Sequence, residues 1–481
     1  RYDSKNASLK FANVFNIANI IMNSSASIDQ KIDEHRQLQS IFGTAQIGYK
    51  EKLFLDLTAR NDWASTLAYT EHEKAGFAYP SVGLSILLDK WVKLPEWISF
   101  AKLRGAYSKV GNDIPVFVTN SASHISAGGE IQANDAAPFK DMEPEMTHAM
   151  EFGTEWRFFQ HRLGINLTYY RTNTYNQFFK LPALAGDKYA FRYVNAGNIQ
   201  NQGWEVTLNG TPILTSDFTW KTSINFSTNK NKIVKLHDEL KELVYGPTSF
   251  SSSYAMKLVK GGSIGDIYGY KLKRAPDGQV VWKDGITART TEFEYVGNAY
   301  PAWKAGFSNE FSYKNFRVSI LFDGQWGGIV YSQTHHKMTE HGTLKHTLKY
   351  RGNPNFEVVG EGVMLDERGQ YVPNNVPISV SKYYADYWRR ANVETNSFDA
   401  SFLKLREARI EYTIPSAGLN KIGIERLTLA LYGRNLAMWT KDFPVYDPEV
   451  ATLNNGTIVP GSEMGQLPST RTMGFNLTLK F

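Results

Sequence analysis

The chain has 481 residues and no cysteine, and its 53 Lys and Arg against 47 Asp and Glu give a formal net charge of +6. The absence of cysteine excludes a disulfide scaffold and thiolate chemistry. A net charge this small, spread over the whole chain, does not indicate a nucleic-acid-binding surface. No run reaches the ~20 apolar residues that a membrane-spanning helix needs. Aromatic residues make up 14 % of a chain whose mean hydropathy is −0.37, which is typical of a transmembrane β-barrel with a wet interior and aromatic girdles.

Apolar and polar residues alternate along most of the chain, for example over residues 53–59, 163–169 and 218–226. Successive strand side chains point to opposite faces, so each segment is predicted to be a strand with one apolar and one wet side. Eight apolar residues are predicted to face lipid: Leu53, Leu55, Leu57, Leu163, Ile165, Leu167, Ile224 and Phe226. Polar residues of the opposite parity are predicted to face the lumen: Asp56, Arg60, Asp62, Lys102, Arg104, Arg317, Asp323, Gln325 and Arg434.

In chain order, thirteen strands are predicted near residues 39–49, 53–62, 76–87, 98–110, 146–158, 162–179, 203–211, 218–230, 305–313, 316–325, 400–413, 427–436 and 470–481. The connections alternate between short and long, and the longest are 231–304, 326–399 and 437–469. An antiparallel meander barrel in a membrane shows this alternation, with short periplasmic turns and long extracellular loops. A soluble all-β protein also alternates apolar and polar residues, and it remains an alternative here.

The last predicted strand places Met473, Phe475, Leu477 and Leu479 on one face and ends the chain on Phe481. In water such a strand would be an aggregation-prone edge, whereas in a barrel its apolar face would meet lipid. A C-terminal aromatic residue on such a strand also resembles the signal by which outer-membrane barrels are recognised for assembly.

A series of ordered segments resembles the SusC/RagA-type TonB-dependent transporters of Bacteroidota outer membranes. They are Ser40–Tyr49, Leu53–Leu67, Tyr79–Ser85, Leu103–Asn112, Asn195–Glu205, Gly265–Tyr270, Gly433–Leu436, Tyr446–Glu449 and Pro468–Arg471. The resemblance implies that residues 39–481 form the C-terminal thirteen strands of a barrel of about 22 strands, with residues 1–38 as an extracellular loop segment. The family's plug domain, TonB box and earlier strands are not in this chain. We therefore expect a C-terminal fragment that the rest of the same protein completes.

By the same resemblance, the expected activity is import of a glycan or oligopeptide across the outer membrane, without a cofactor. A SusD-like surface lipoprotein would act as a lid, and TonB would act through the N-terminal part. A passive porin-like channel and a soluble carbohydrate-binding or adhesive protein are the alternatives. No P-loop, nucleophile elbow or dinucleotide fingerprint is present, so no enzyme is predicted.

Several other clusters could carry chemistry. His335, His336, His341 and His346 have a spacing that matches no common zinc site, so a polar loop is predicted in place of a metal centre. The run 141–145 and the Asp447-Pro448-Glu449 run hold carboxylates too close in sequence to imply a glycosidase pair, and the second is predicted to be a structural turn. Pro276-Asp277-Gly278 is a turn signal, predicted to join 264–272 to 279–282 in a hairpin.

Substrate contacts are predicted among aromatic residues of the long connections and two inward arginines. Aromatic rings can stack on sugars or on peptide side chains, although loop aromatics also pack loops together and lumen charges also bind a plug. The predicted set is Arg60, Trp63, Tyr189, Phe191, Tyr193, Trp326, Tyr331, Trp388, Arg434 and Trp439.

Overall fold

The computed structural model describes most of the chain. The described residues are 3–4, 30–31, 36–114, 118–119, 124–125, 131–132, 136–137, 139–182, 189, 191–237, 240–245, 254–353, 355–415, 423–450, 452–454 and 457–481. The predicted segment 1–38 therefore lies almost entirely outside the described residues.

Thirteen strands follow one another in a single antiparallel sheet, and each pairs with the next along the chain. They are β1 Leu38–Tyr49, β2 Leu53–Ala64, β3 Phe77–Leu87, β4 Ile98–Asn112, β5 Glu145–Phe158, β6 Leu163–Pro182, β7 Phe191–Leu214, β8 Phe218–Thr228, β9 Trp303–Tyr313, β10 Phe316–Trp326, β11 Phe402–Ile414, β12 Arg426–Thr440 and β13 Thr472–Lys480. Two shorter strands, Ala136–Ala137 and Lys230–Lys235, also pair with β7. All thirteen predicted strands are confirmed, as is the alternation of short and long connections.

The connection between β6 and β7 is much shorter than predicted. Residues 180–202 were expected to form a long loop, but β6 continues to Pro182 and β7 begins at Phe191. The added segment mixes apolar residues such as Val194 and Ile199 with Asn and Gln, and its amide side chains bond across the strands, as Asn173 does to Asn198 at 2.8 Å. Apolar and polar residues do not alternate regularly over this segment, so the two-residue pattern could not show that the strands continue.

The register gives the sheet two distinct faces. Directly paired residues of an antiparallel sheet share a face, and one lateral row runs Leu53, Ile86, Leu103, Thr154, Leu167, Val206, Phe226 and Ala305. All eight residues predicted to face lipid lie on this face, which we call the apolar face. The nine predicted lumen residues lie on the other, which we call the polar face. On the apolar face Phe152 is 59 % exposed and Phe475 78 %, so no protein covers it in the described structure.

Aromatic side chains border the apolar face at both ends. Tyr313 and Phe316 flank the short turn between β9 and β10, and Trp303 and Trp326 stand at the opposite ends of the same two strands. Ten residues separate the two borders, which is about 34 Å along a strand and about 25 Å across a membrane at a tilt near 40°. That height matches the apolar band of an outer-membrane barrel.

The long connections form a folded layer, which we call the roof, from residues 229–302, 327–401 and 441–471. Its helices are α1 Gln333–Glu340 and α2 Val380–Tyr387, and its 3-10 turns include Lys345–Leu348 and Glu394–Asn396. Its strands are Glu242–Tyr245, Tyr254–Val259, Asp266–Gly269, Val281–Lys283, Ile286–Thr287, Glu294–Asn298, Ile329–Ser332, Glu357–Val359, Val363–Leu365, Tyr371–Pro373, Pro377–Ser379, Ser397–Asp399, Thr452–Asn454, Thr457–Val459 and Ser462–Glu463. None of the helices among the described residues combines the length and the apolar character needed to cross a membrane.

Smaller elements lie in the earlier connections. The 3-10 turns Ser65–Leu67 and Leu88–Lys90 follow β2 and β3. The remaining two-residue strands are Asp3–Ser4, Gln30–Lys31, His124–Ile125 and Ile131–Gln132.

The predicted hairpin in the roof is only half correct. The turn at Pro276-Asp277-Gly278 forms, with Gly278 at φ 89° and its N–H donating to the Ala275 carbonyl at 2.9 Å. The strand Asp266–Gly269 does not join it, because it pairs with Tyr254–Val259 and Glu294–Asn298. The turn is a local signal, whereas the partner of the preceding strand is chosen by contacts across the whole roof.

Candidate functional site

The polar face of the sheet is a charge-balanced surface. Arg317 and Glu411 are direct cross-strand partners with 3.5 Å between Nη1 and Oε1, and Glu411 also accepts from Arg409 at 2.8 Å. Arg434 donates to Glu407 at 2.9 Å from its Nε. Because Arg317, Arg409 and Arg434 each have a carboxylate beside them, this part of the face offers both hydrogen-bond donors and acceptors with its charges largely balanced.

A concave space of about 720 Å³ lies against this face between β5 and β11. Most of the residues around it are polar or charged, including Glu155, Arg157, Asn166, Asn209, Lys221 and Glu310. A space of this size holds a short oligomer, and its lining can bond to hydroxyl, amide, amine or carboxylate groups.

An ion network fixes the connection 441–471 to the polar face. Lys404, on β11, is buried and donates to Asp447 at 2.6 Å and also to Glu449. Arg406 then bridges Glu449 and Asp323, at 2.6 and 2.5 Å. Burial opposes ionisation of Asp447, yet the bonds from Lys404 and from the Glu449 N–H lower the pKa of its carboxyl below the usual value. The prediction that Asp447-Pro448-Glu449 is a structural turn agrees with this arrangement.

A buried apolar core and one buried carboxylate hold the roof together. Tyr254, Ile267, Tyr331, Val393 and Val459 pack in one cluster that draws on all three long connections. Beside it, the fully buried Glu463 accepts from the hydroxyls of Ser332 and Thr334 at 2.5 Å, from Tyr446, and from the Gly465 N–H. Neutral donors alone satisfy this carboxylate among the described residues, so it cross-links 327–401 to 441–471.

The histidines of the roof serve packing. His335 lies on α1 with its Nδ1 2.9 Å from the Asn396 Oδ1, and its ring stacks on His346 with 5.3 Å between centroids. His336 bonds through Nδ1 to the Trp388 carbonyl oxygen at 2.8 Å. Burial lowers the pKa of His335 to about 4 and also lowers the pKa of His336. In the described part of the chain, no group of three or more His, Asp or Glu side chains is arranged to hold a metal ion.

The carboxylates of residues 141–145 are used by the fold. Glu143 accepts from the Asn176 amide at 2.7 Å, and Glu145 accepts from the Phe178 N–H at 3.1 Å. These contacts join the fifth and sixth strands at the long-connection end, which leaves no pair aimed into a cleft.

Two of the predicted substrate residues lie on the polar face, where a ligand could reach them. Arg60 donates to Asp62 at 2.6 Å and to Ser40 at 2.8 Å, beside a second polar recess lined by Tyr79 and Asp113. Arg434 keeps 63 % of its side chain exposed next to Glu407.

Three predicted residues lie on the wrong face for this role. Trp326 is the direct partner of Trp303, and Trp439 is the direct partner of Leu403, which places both on the apolar face at 51 % and 54 % exposure. Trp63 has the parity of Leu57 on the same strand and belongs to that face as well. The prediction that these three residues contact substrate is therefore wrong. They belong to the aromatic border of the sheet.

The remaining predicted residues belong to packed loops. Tyr331 is fully buried and stacks on Tyr254 at 5.3 Å, so it has no surface for a ligand and its assignment is wrong. Tyr193 stacks on Phe178 at 4.8 Å, and Trp388 packs with the aromatic side chains of α2. Tyr189 and Phe191 lie at the tip of the β6–β7 connection, each with contacts to neighbouring groups. Tyr193, Trp388, Tyr189 and Phe191 remain predicted contacts. The structure does not gather the ten residues into one site.

Sequence reasoning missed the Lys404 network and the Glu463 cross-link. Parity alone puts Lys404 on the polar face, but its partners stand more than forty positions away, at Asp447 and Glu449. A charged residue inside an alternating strand was the only available signal.

Comparison with known proteins agrees with this architecture. The family model "TonB dependent receptor-like, beta-barrel" matches residues 2–436. TonB-dependent receptor P3 of Formosa agariphila is 26 % identical over 480 residues, which cover 92 % of this chain and 46 % of that protein. TonB-dependent receptor SusC of Bacteroides thetaiotaomicron is 26 % identical over 215 residues, covering 41 % of this chain and 21 % of SusC. The chain thus spans about half the length of the curated relative P3.

Solved structures share the fold. The RagAB peptide importer in its open-open state superposes with a TM-score of 0.73 at 19 % identity, over 98 % of this chain and 49 % of that one. Its closed-closed state gives a TM-score of 0.71 at 20 % identity, over 95 % of this chain and 49 % of that one.

Proposed function

Because the chain belongs to the TonB-dependent receptor-like β-barrel family, we propose that its parent protein is a SusC-like transporter. It imports an oligosaccharide or an oligopeptide across the outer membrane, with a SusD-like lipoprotein as lid and with TonB transmitting the energy of the inner-membrane proton gradient. This chain contributes a section of the outer-membrane barrel wall, the roof and part of the binding cavity. The plug and the earlier strands of a barrel of about 22 strands belong to the rest of the protein.

The observation that carries the proposal is the polar face with its charge-balanced lining under a folded roof. A face of paired Arg and Glu side chains can exchange partners with the hydroxyls of a sugar or with the charged ends of a peptide. It would not select strongly for one net charge, which suits a carrier of polar oligomers. A porin-like channel would need an open path, whereas here three connections fold together on the outer side.

Exposed apolar side chains on the roof support a protein partner. Leu348 is 56 % exposed at the end of the 3-10 turn Lys345–Leu348, and Phe356 is 66 % exposed, with its carbonyl accepting from the Val380 N–H at the start of α2. Large exposed apolar groups on a folded surface commonly mark protein contacts. We assign this surface to the lid.

Growth of a deletion strain on single glycans and peptides tests the transport role and identifies the substrate class. Growth should fail on one class, and it should fail equally when TonB is removed. Retained growth without TonB would favour the porin alternative, and a parent protein that is soluble without detergent would favour the soluble one.

Lid binding is tested separately by co-purification. The double variant Leu348→Ser with Phe356→Ser should lose most of the lid, whereas the matched exposed variant Lys382→Ser on α2 should keep it. Equal recovery with both variants would move the lid contact elsewhere on the roof.

A further inference from the structure

Three cations stand together on the apolar side of the sheet, just beyond its aromatic border. Arg171 on β6 is the direct partner of Gln202 on β7, and Gln202 is the direct partner of Lys230. Lys232, two residues further along the same short strand, pairs with Gln200. All three cationic side chains are exposed. We call Arg171, Lys230 and Lys232 the basic patch.

The opposite parity of the neighbouring residues fixes the orientation of the patch. Asn231 bonds to Asn201 at 2.9 Å, and Ile233 is fully buried in a core under the roof, so these two point inward. Lys230 and Lys232 alternate with them and therefore point outward, on the face that carries Trp204 and Val206 further down β7.

No acidic side chain pairs with the basic patch among the described residues. In the described residues no carboxylate lies within the 4.0 Å of an ion pair from these three cations, whereas the cations Arg317, Arg409 and Arg434 of the polar face have such partners. Arg171 bonds through Nε and Nη2, both at 2.6 Å, to the amide oxygen of Gln200 in its better-satisfied orientation. A neutral amide orients the guanidinium without cancelling its charge.

Directly below the patch lies an aromatic pair. The rings of Tyr169 and Trp204 are 4.9 Å apart, and Trp204 is 47 % exposed on the apolar face. Each lies two residues from the level of Arg171 and Gln202, or about 7 Å along the strands. Leu167 and Val206 continue the same face below them. The order from apolar through aromatic to cationic is the order of acyl chain, interface and head group in a membrane.

We propose that the basic patch binds the phosphate of an anionic glycolipid in the outer leaflet. The phosphate oxygens would accept from Arg171, Lys230 and Lys232, and the acyl chains would lie against Tyr169, Trp204 and Val206. Charge complementarity selects this occupant, since three uncompensated cations at head-group height favour a phosphate over a zwitterionic lipid. The site depends on the apolar face meeting lipid and is independent of which substrate is imported.

The experiment uses the complete parent protein in nanodiscs and native mass spectrometry. The probes are a phosphorylated lipid A and the same lipid A without its phosphates. The triple variant R171Q/K230Q/K232Q should retain at least tenfold less phosphorylated lipid than the native protein. The matched control K50Q/K52Q/K314Q removes three cations at the short-turn end of the strands and should retain the native amount.

Four results would overturn the proposal. They are equal retention by the triple variant and its control, equal retention of lipids with and without phosphate, displacement of the lipid by millimolar inorganic phosphate, and an acidic protein recovered in place of lipid. Heat-modifiable migration on gels reports folding for each variant. If the triple variant does not fold, the single variant Lys232→Gln should still weaken retention about threefold, and unchanged retention would contradict the site.

Discussion

The sheet and the roof obey opposite rules, although they belong to one chain. In the roof, large side chains such as Trp282 and Tyr254 are almost fully buried, and the carboxylate of Glu463 is sealed from solvent by five donors. Along the sheet, apolar side chains such as Phe307 and Leu431 stand exposed at 40 % and 67 %.

The difference comes from what surrounds each region. The roof lies in water and hides its apolar groups in a core. The sheet has one face for lipid, where exposed apolar groups are favourable, and one polar face for the lumen. In the roof, the burial of a side chain therefore indicates how much it contributes to stability. In the sheet, the face on which the side chain lies indicates this instead. The following substitutions test this contrast.

The largest effect is expected where the two regions join. Lys404→Gln removes the cation beside the buried Asp447, and an uncompensated buried charge costs about 3–5 kcal/mol. Hydrogen exchange in 441–471 should rise by orders of magnitude, while β11 itself remains protected. The control Lys441→Gln breaks an ion pair with Asp399 whose lysine side chain is 51 % exposed, so it should have little effect. Similar exchange in both variants would show that the network does not fasten the roof.

In the sheet, parity should decide the outcome. Ile224→Arg places a charge on the apolar face near mid-height and should lower the free energy of unfolding by about 2–4 kcal/mol. The adjacent Asn225→Arg lies on the polar face and loses the one hydrogen bond that Asn225 accepts from the Thr207 hydroxyl, worth about 1 kcal/mol. Unfolding in urea, followed by heat-modifiable migration, measures both. If Asn225→Arg lowered the free energy of unfolding more than Ile224→Arg, the assignment of the two faces would have to be reversed.

Acid should loosen the roof before it affects the sheet. Burial lowers the pKa of His335 to about 4, against about 6.5 in an unfolded chain, so the folded roof prefers the neutral ring. The contribution is complete above pH 6.5 and is lost as the pH falls toward 4, with an upper limit of about 3 kcal/mol. Burial also lowers the pKa of His336, although the nearby Glu340 opposes this shift, and burial lowers the pKa of the neighbouring His346 as well.

Proteolysis at pH 7.5 and pH 5 measures this loss. Cleavage within α1 should increase at the lower pH, and His335→Gln should remove much of the difference, because Gln keeps a polar group at the Asn396 contact but does not titrate. His161→Gln, in an exposed short turn, is the control. A pH response that persists in His335→Gln would point to another titrating group.

The contrast between sheet and roof also explains which parts of the fold could be predicted from the sequence. A two-residue period is imposed by two different solvents on the two faces, so all thirteen strands and both residue sets were predictable. Even the face of Trp326 was readable, since it stands four residues from Phe322 on one strand.

The fold of the roof could not be predicted from the sequence, because its strands pair with segments that are distant along the chain. Asp266–Gly269 pairs with Glu294–Asn298, and Tyr331 stacks on Tyr254. No local sequence pattern predicts either contact. The predicted substrate set failed in part for the same reason. Aromatic residues were chosen by their place in long connections, and packing then buried some and turned others toward the apolar face.

The smallest effect is expected on the polar face itself. Arg434→Gln breaks an ion pair whose side chains are 63 % and 33 % exposed, and such pairs contribute less than about 1 kcal/mol. The free energy of unfolding should hardly change. If Arg434 contacts the imported oligomer, however, uptake should fall while folded yield stays constant. Arg317→Gln, nearer the short turns on the same face, is the matched control for loss of one paired cation. Equal uptake in the two variants at equal yield would remove Arg434 from the substrate contacts and leave Arg60 as the remaining inward arginine of the predicted set.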